Sequence, residues 1–242
     1  MNTILENKDK SLISEYKSKS YILIKINDVE ELEINIKDII KYSNVDNDLN
    51  FFDPLENYKS IVDKFEMNII EYNNEYLDVQ NISNYFVGLS ENAISYLSDG
   101  INKSNSNNAK ISMSHIELKH NNCFASLNDT LSLCKSYYVI NIGRYIKNKI
   151  ILKKENWYEE LEYFLSNEPL NELDYRILYS EILFPDYFYK LFYKLLDEEI
   201  TEKRIKELTK DIGYIENNLI EIHLLISKYT DIPKIEWLVR NN

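Results

Sequence analysis

The chain has 242 residues, of which 44% are hydrophobic and 28% charged, and its formal net charge at pH 7 is −12. These proportions are typical of a soluble globular protein, since disordered chains contain fewer apolar residues. No apolar run approaches the roughly 20 residues that a membrane span requires, and the N-terminus carries no apolar leader segment. We therefore expect a soluble, cytoplasmic protein without a membrane partner. The acidic charge also disfavours nucleic acid as a partner, because it repels phosphates.

Residues that interrupt regular structure are scarce, since glycine and proline each occur only four times. So few of them favour long helices over the many turns of a β-sandwich. We predict a mainly α-helical fold, an irregular multi-helix bundle with a short strand near the N-terminus. We expect an N-terminal segment at 1–50 and the helical bundle at 51–242, with a polar surface loop at 102–110.

In the N-terminal segment, the apolar run 20–26 fits a short strand, although so short a pattern does not separate strand from helix. Asp28 and Glu31 then have the spacing of a capping box, which predicts a helix to about residue 42. The pair Asp53 and Pro54 marks the start of the next helix, because a capping carboxylate precedes a proline at the first helical position.

Apolar residues at spacings of three and four predict a long helix from Cys123 to Tyr145. Cys123 and Cys134 would lie on one face of that helix, three turns apart, too far to form a disulfide. Between 155 and 199 the pattern predicts three shorter helices that are separated by prolines.

Thr201 is the predicted cap of the last long helix, in which apolar residues from Ile205 to Tyr229 form a heptad seam. Before it lies the aromatic stretch 184–199, whose sequence is FPDYFYKLFYKLLDEE. Its phenylalanines share one helical face, and we expect Tyr187 and Tyr189 at the rims with their hydroxyls in water. This stretch is therefore predicted to be core rather than a ligand pocket.

Several common motifs that would identify an activity are not found in the sequence. It has no GxGxxG loop, P-loop or GxSxG motif. Glu117 and His120 have the spacing of a di-iron ligand pair, but such a site needs a second pair, which the chain lacks. We therefore expect no catalytic residue, no cofactor and no metal. One alternative stays open: Asp99, Glu117 and Lys119 have the D…ExK order of metal-dependent nucleases.

Charge is the most unevenly distributed feature of the sequence. Residues 155–202 contain thirteen acids against three basic residues, a net charge of −10, and they follow a basic cluster at 144–154. Acids of this kind can steer a basic partner and aromatic residues can anchor it. The predicted partner-binding residues are Trp157, Glu159, Glu160, Glu162, Glu168, Glu172, Asp174, Glu181, Asp186 and Tyr187.

From these patterns we predict a non-enzymatic protein that binds a basic protein partner through the acidic segment. An immunity protein, an antitoxin-like inhibitor of a basic nuclease toxin, needs this combination of properties. This hypothesis rests on charge and on elimination. The alternatives are the metal-dependent nuclease above and a structural helical module that self-associates, as a homodimer, through the seam at 205–229.

Overall fold

The computed structural model describes residues 3–16, 19–25, 33–41, 49–71, 77–103, 109–118, 127 and 132–239. Its N-terminal part consists of short strands. Strand β1 (Thr3–Leu5) pairs antiparallel with β4 (Leu23–Lys25), and β2 (Ser14–Tyr16) pairs antiparallel with β3 (Lys19–Tyr21). The apolar run 20–26 thus contributes to two short strands instead of one.

Two helices follow, and the start of the second is as predicted. Helix α1 (Ile36–Lys41) is short, and the capping residues Asp28 and Glu31 lie outside the described residues. Helix α2 (Pro54–Glu71) begins at Pro54, where Asp53 Oδ1 accepts a hydrogen bond of 2.9 Å from the backbone N–H of Leu55. This carboxylate satisfies one of the donors that every helix N-terminus leaves free.

Helix α3 (Leu77–Lys103) is followed by a β-hairpin where the sequence predicted helix. Strand β5 (Ile111–His115) pairs antiparallel with β6 (Leu133–Tyr137). The helix predicted from Cys123 to Tyr145 is therefore wrong over β6. In that strand every second residue is buried, Cys134 among them. Over a few positions this alternation also places apolar residues four apart, which is a spacing that helices share. Cys123 lies outside the described residues.

The centre of the fold is the packing of two almost fully buried helices, α4 (Ile140–Ile151) and α6 (Glu172–Leu183). Between them in sequence lies α5 (Trp157–Asn167), and after them comes α7 (Asp186–Leu196). Helices α5, α6 and α7 match the three shorter helices that the sequence predicted, and prolines at 169 and 185 separate them.

The predicted last long helix is broken in two. Helix α8 (Glu202–Lys210) and helix α9 (Ile212–Ile226) meet at Asp211, and α10 (Glu236–Val239) closes the described chain. The heptad seam nevertheless faces inwards on both helices. Its buried residues are Ile205, Leu208, Ile215, Leu219, Ile222 and Ile226. Most of the seam is therefore packed within the fold, although Tyr229 at its end is exposed, and self-association stays a prediction.

The aromatic stretch lies in the core, as predicted, with two exceptions at its rims. Phe184, Phe188 and Phe192 are buried, but so are Tyr187 and Tyr189, whose hydroxyls we expected in water. The Tyr189 hydroxyl instead lies 2.6 Å from Ser90 Oγ on α3. The mainly α-helical, multi-helix fold with a small strand component is confirmed. Within the described chain, no helix combines the length and the apolar character needed to cross a membrane.

Candidate functional site

The most unusual chemistry in the fold is a buried lysine that serves two carboxylates where α4, α6 and α7 meet. Lys147 Nζ lies 2.8 Å from Glu181 Oε1 and 2.7 Å from Asp186 Oδ1. It also donates to the backbone oxygens of Glu181 and Phe184. The Lys147 side chain is only 4% exposed, and a charge so far from water is tolerated only when it is paired and hydrogen-bonded.

Glu181 has two further partners, which explains how its carboxylate remains inside the protein. Arg144 Nε lies 3.5 Å from its Oε1, and the Tyr58 hydroxyl donates a 2.6 Å hydrogen bond to its Oε2. Burial first, and then the charge of Glu181, raise the pKa of Tyr58 well above its usual value. Tyr58 therefore stays protonated and acts as a donor.

A glycine on α4 allows Glu181 to approach so closely. A Cβ atom at Gly143 would lie 2.7 Å from Glu181 Cγ and 2.9 Å from its Cβ, which is shorter than a van der Waals contact. Because position 143 has no side chain, α6 can bring Glu181 close to Arg144 and Lys147, which lie on α4 like Gly143. The approach of the two helices therefore sets the position of the buried charges.

The charges continue from the core to the surface. Lys190 Nζ lies 2.9 Å from Asp186 Oδ2 and 2.8 Å from Glu117 Oε1. We call Glu181, Lys147, Asp186, Lys190 and Glu117 the ion-pair network. Although burial opposes its charge, Lys147 and then Lys190 hold the pKa of Asp186 well below its usual range. For Lys190 burial also opposes the charge, but Asp186 and Glu117 raise its pKa.

Glu117 reaches the surface end of the network because strand β5 is clamped to α4 just before it. Asn141 Oδ1 accepts hydrogen bonds from the Ser114 hydroxyl at 2.9 Å and from the backbone N–H of His115 at 3.2 Å. Arg144 donates to the backbone oxygen of His115, whose ring Nε2 lies 3.1 Å from the Leu127 oxygen. These contacts fix the end of the strand two residues before Glu117.

Two clefts meet at Glu117 and Lys190. The inner cleft has a volume of about 180 Å³ and contains the buried half of the network together with Tyr58 and Arg144. The outer cleft has a volume of about 510 Å³ and lies between the end of α4, α7 and α8. A carboxylate and an ammonium group therefore stand on the wall that the two clefts share.

Several residues predicted to bind a partner have internal roles instead. Trp157, Asp174, Glu181 and Tyr187 are all at most 7% exposed, and Asp186 belongs to the ion-pair network. Asp174 completes a capping box with Asn171 at the start of α6. These five side chains do not form a surface in this fold, because each is held by contacts inside the protein.

The other five predicted residues lie nearer the surface, but most have a basic neighbour. The pairs, with their N···O distances, are Glu160 with Lys149 (2.9 Å), Glu162 with Lys228 (3.3 Å), Glu168 with Lys110 (3.6 Å) and Glu172 with Arg176 (3.0 Å). Glu159 is exposed. That these five residues bind a partner stays a prediction.

The residues considered for a metal site are not gathered into one. Asp99 is exposed near the end of α3, and Glu117 is paired with Lys190. Lys119 and His120 lie outside the described residues. Among the residues that the structure describes, no group of three His, Cys, Asp or Glu side chains could hold a metal ion.

Comparison with known proteins gives a match to a protein family. A family model described as "Spore coat putative kinase YutH" matches residues 65–221, which is more than half of the chain. The match runs from α2 into α9 and includes the whole ion-pair network and the outer cleft. No curated protein and no solved structure matches the chain.

Proposed function

We propose, since this chain belongs to the spore coat YutH family, that it is a phosphotransferase acting on a hydroxyl group. The donor would be a nucleoside triphosphate, the usual phosphoryl donor of kinases. The description of that family as a kinase supports this chemistry.

The family corrects two predictions made from the sequence. The prediction of a non-enzymatic protein is wrong, since the family is described as a kinase, and so is the assignment as an immunity protein or toxin inhibitor. The error arose because acids were counted as a surface. Three of them, Glu160, Glu181 and Asp186, pair instead with the basic cluster at 144–154. The comparisons give no support to the nuclease alternative either.

One stretch of sequence carries the proposal to particular residues. Protein kinases have a catalytic loop with the order H-R-D-L-x-x-x-N, in which the aspartate is the catalytic base. This chain has His115, Glu117, Leu118 and Asn122 at the same spacing, with glutamate in place of aspartate and isoleucine in place of arginine. Asn122 lies outside the described residues. Glu117 is thus the candidate base, at the junction of the two clefts.

The proposed step needs a carboxylate that accepts a proton. Glu117 would take the proton of the acceptor hydroxyl while the acceptor oxygen forms a bond to the γ-phosphorus. The bond from that phosphorus to the β,γ-bridging oxygen breaks, and the nucleoside diphosphate leaves with the electron pair. Lys190, 2.8 Å from Glu117, orients the carboxylate.

Other parts of the kinase signature are different in this chain. It has no glycine-rich GxGxxG loop and no DFG sequence. The carboxylates near Glu117 do not fit a magnesium ion in the described structure, because Asp186 and Glu181 are already neutralised by lysine and arginine. The proposed step therefore involves no metal held by these carboxylates, and nucleotide binding is to be measured separately from transfer.

The test compares the purified full chain with its Glu117→Gln variant, with ATP and magnesium present. Nucleotide-dependent phosphoryl release or self-phosphorylation should fall about 10²-fold or more in the variant, the usual effect of removing a general base. Nucleotide binding, measured by calorimetry, should change little. Glu56→Gln is the matched control, since Glu56 also pairs with a lysine at 2.8 Å but lies on the surface of α2.

Two results would contradict the proposal. One is a wild-type protein that neither binds a nucleoside triphosphate nor releases phosphate from it. The other is a Glu117→Gln variant with wild-type turnover. Equal thermal unfolding midpoints for the two proteins would exclude misfolding as the cause of a loss.

A further inference from the structure

The outer cleft combines an apolar floor with a charged rim. Ile151 and Leu152 at the end of α4, Leu191 on α7 and Leu208 on α8 provide the apolar surface. Leu152 is 42% exposed, so part of this surface faces solvent. The volume of about 510 Å³ lies within the range of sites for small molecules, roughly 300–1,000 Å³.

The cleft is lined by three carboxylates and three cations, and one of these cations has no ion-pair partner in the part of the chain that the structure describes. Each carboxylate has a cation close by: Glu117 with Lys190 at 2.8 Å, Glu207 with Arg204 at 2.9 Å, and Asp211 with Lys153 at 2.6 Å. Lys194 also lines the cleft, and within the described residues no ion pair includes it. Lys194 is therefore the cation of the lining with which a bound anion can pair.

We propose that the outer cleft binds a small anionic molecule with an apolar or aromatic body, whose anionic group pairs with Lys194. Building on the proposed function, this molecule is the phosphoryl acceptor, and its hydroxyl lies at the Glu117 end of the cleft. The body contacts Leu152, Leu191 and Leu208, and Tyr193 adds an aromatic side chain to the lining. Such a ligand satisfies both the apolar floor and the unpaired cation.

The position of Lys194 has a simpler cause, which does not account for the whole site. It lies in the last turn of α7, where a cation interacts favourably with the helix dipole. That interaction explains a lysine at this position but not the exposed leucine across the cleft. Nor does it explain why Glu117, the candidate base, lies on the same wall.

The test uses two fluorescent probes that share one aromatic body and differ in charge. Dansylglycine carries a carboxylate and dansylcadaverine an amine. Titrated into the wild-type protein without nucleotide, dansylglycine should bind at least about fivefold more tightly than dansylcadaverine. Lys194→Gln should weaken dansylglycine binding about five- to tenfold and remove this preference. Lys203→Gln, on the exposed side of α8, is the matched control and should have no effect.

A second variant tests the apolar floor. Leu152→Asp changes a partly exposed side chain, so the fold should tolerate it, yet it should abolish detectable dansylglycine binding. Equal affinity for the two probes, or dansylglycine binding unaffected by both variants, would overturn the inference. This outcome can be separated from that of the proposed function. If the protein binds dansylglycine as predicted but transfers no phosphoryl group, the cleft is a binding site but the ligand is not a phosphoryl acceptor. If it transfers a phosphoryl group without this binding, the acceptor does not bind in the outer cleft.

Discussion

Single residues of the ion-pair network connect the core with the surface. Glu181 and Lys147 are buried, Asp186 and Lys190 are partly buried, and Glu117 is exposed. The net contribution of a buried ion pair to stability is small, because removing the charges from water costs about as much as their attraction returns. Removing one member, by contrast, leaves its partner uncompensated. The network therefore specifies a geometry around Glu117 more than it stabilises the fold.

Asp186→Asn should destabilise the protein in a pH-dependent way. A carboxyl group with a lowered pKa in the folded state stabilises the fold above its unfolded pKa of about 3.9, and this contribution is lost as pH falls through the folded pKa. At pH 7 we expect the variant to lose about 1.5–3 kcal/mol of unfolding free energy, the range for hydrogen bonds to charged groups. The difference should shrink steadily below pH 4.

Urea unfolding of both proteins between pH 7 and pH 3 measures this difference. The exposed Asp99→Asn serves as the control, because Asp99 is exposed near the end of α3 and should show no such trend. A difference that stays constant from pH 7 to pH 3 would show that the carboxylate charge of Asp186 is not what stabilises the fold.

Glu117 shows what residue-level sequence reasoning can and cannot find. The sequence patterns point to Glu117 as a metal ligand, either with His120 or, in the nuclease alternative, with Asp99 and beside Lys119. The spacing of His115, Glu117, Leu118 and Asn122 was present in the same eight residues and would have indicated a kinase catalytic loop. Its substitution of glutamate for aspartate made the pattern easy to miss. The ion pair between Glu117 and Lys190, by contrast, depends on the tertiary structure.

At the scale of elements, the site depends on how closely α4 and α6 approach each other. The sequence predicted helix over part of each region, but no local pattern predicts which residues of the two helices meet. Glycine at position 143 decides this, because any side chain there would collide with Glu181. The contact in turn positions two cations of α4, Arg144 and Lys147.

Gly143→Ala should therefore destabilise the protein, although alanine favours helix more than glycine does. We expect a loss of about 1–3 kcal/mol, the usual cost of overpacking a core. Gly88→Ala is the matched control within α3, since its Cβ would meet nothing within 4 Å. That change should stabilise the protein by up to about 1 kcal/mol. Chemical denaturation of both variants gives the comparison, and equal effects would mean that the α4–α6 contact relaxes freely.

At the scale of the whole molecule, one continuous core connects the elements from α1 to α10. The buried apolar residues from Ile34 to Leu238 form a single cluster. The described N-terminal strands contribute no residue to it. The net charge of −12 is therefore carried by a fold whose cohesion is apolar, and only some of the acids, such as Glu160 and Glu181, are partners of lysine.

A single core predicts cooperative unfolding. Trp157 is 7% exposed at the start of α5, and Trp237 packs against the core from α10. Tryptophan fluorescence and far-ultraviolet circular dichroism should consequently report the same midpoint in urea. Two separate midpoints would show that the core divides into independent units.

The sequence by itself determined the helical class and those boundaries that depend on neighbouring residues. Helix α2 starts where Asp53 and Pro54 stand together, and prolines separate α5, α6 and α7, because caps and prolines act within one turn of chain. The apolar character of the aromatic stretch was also evident, since burial follows from side-chain chemistry.

Only the tertiary structure decided the fate of the charges and the identity of the hairpin. Glu181 meets Lys147 from 34 residues away, and β6 is a strand because β5 supplies its hydrogen bonds. Asp174, Glu181 and Asp186 belong to an acidic run in the sequence, yet each has a partner inside the protein. Pairing and burial depend on residues that are distant in sequence, so a local pattern can count charges but cannot say which of them face solvent.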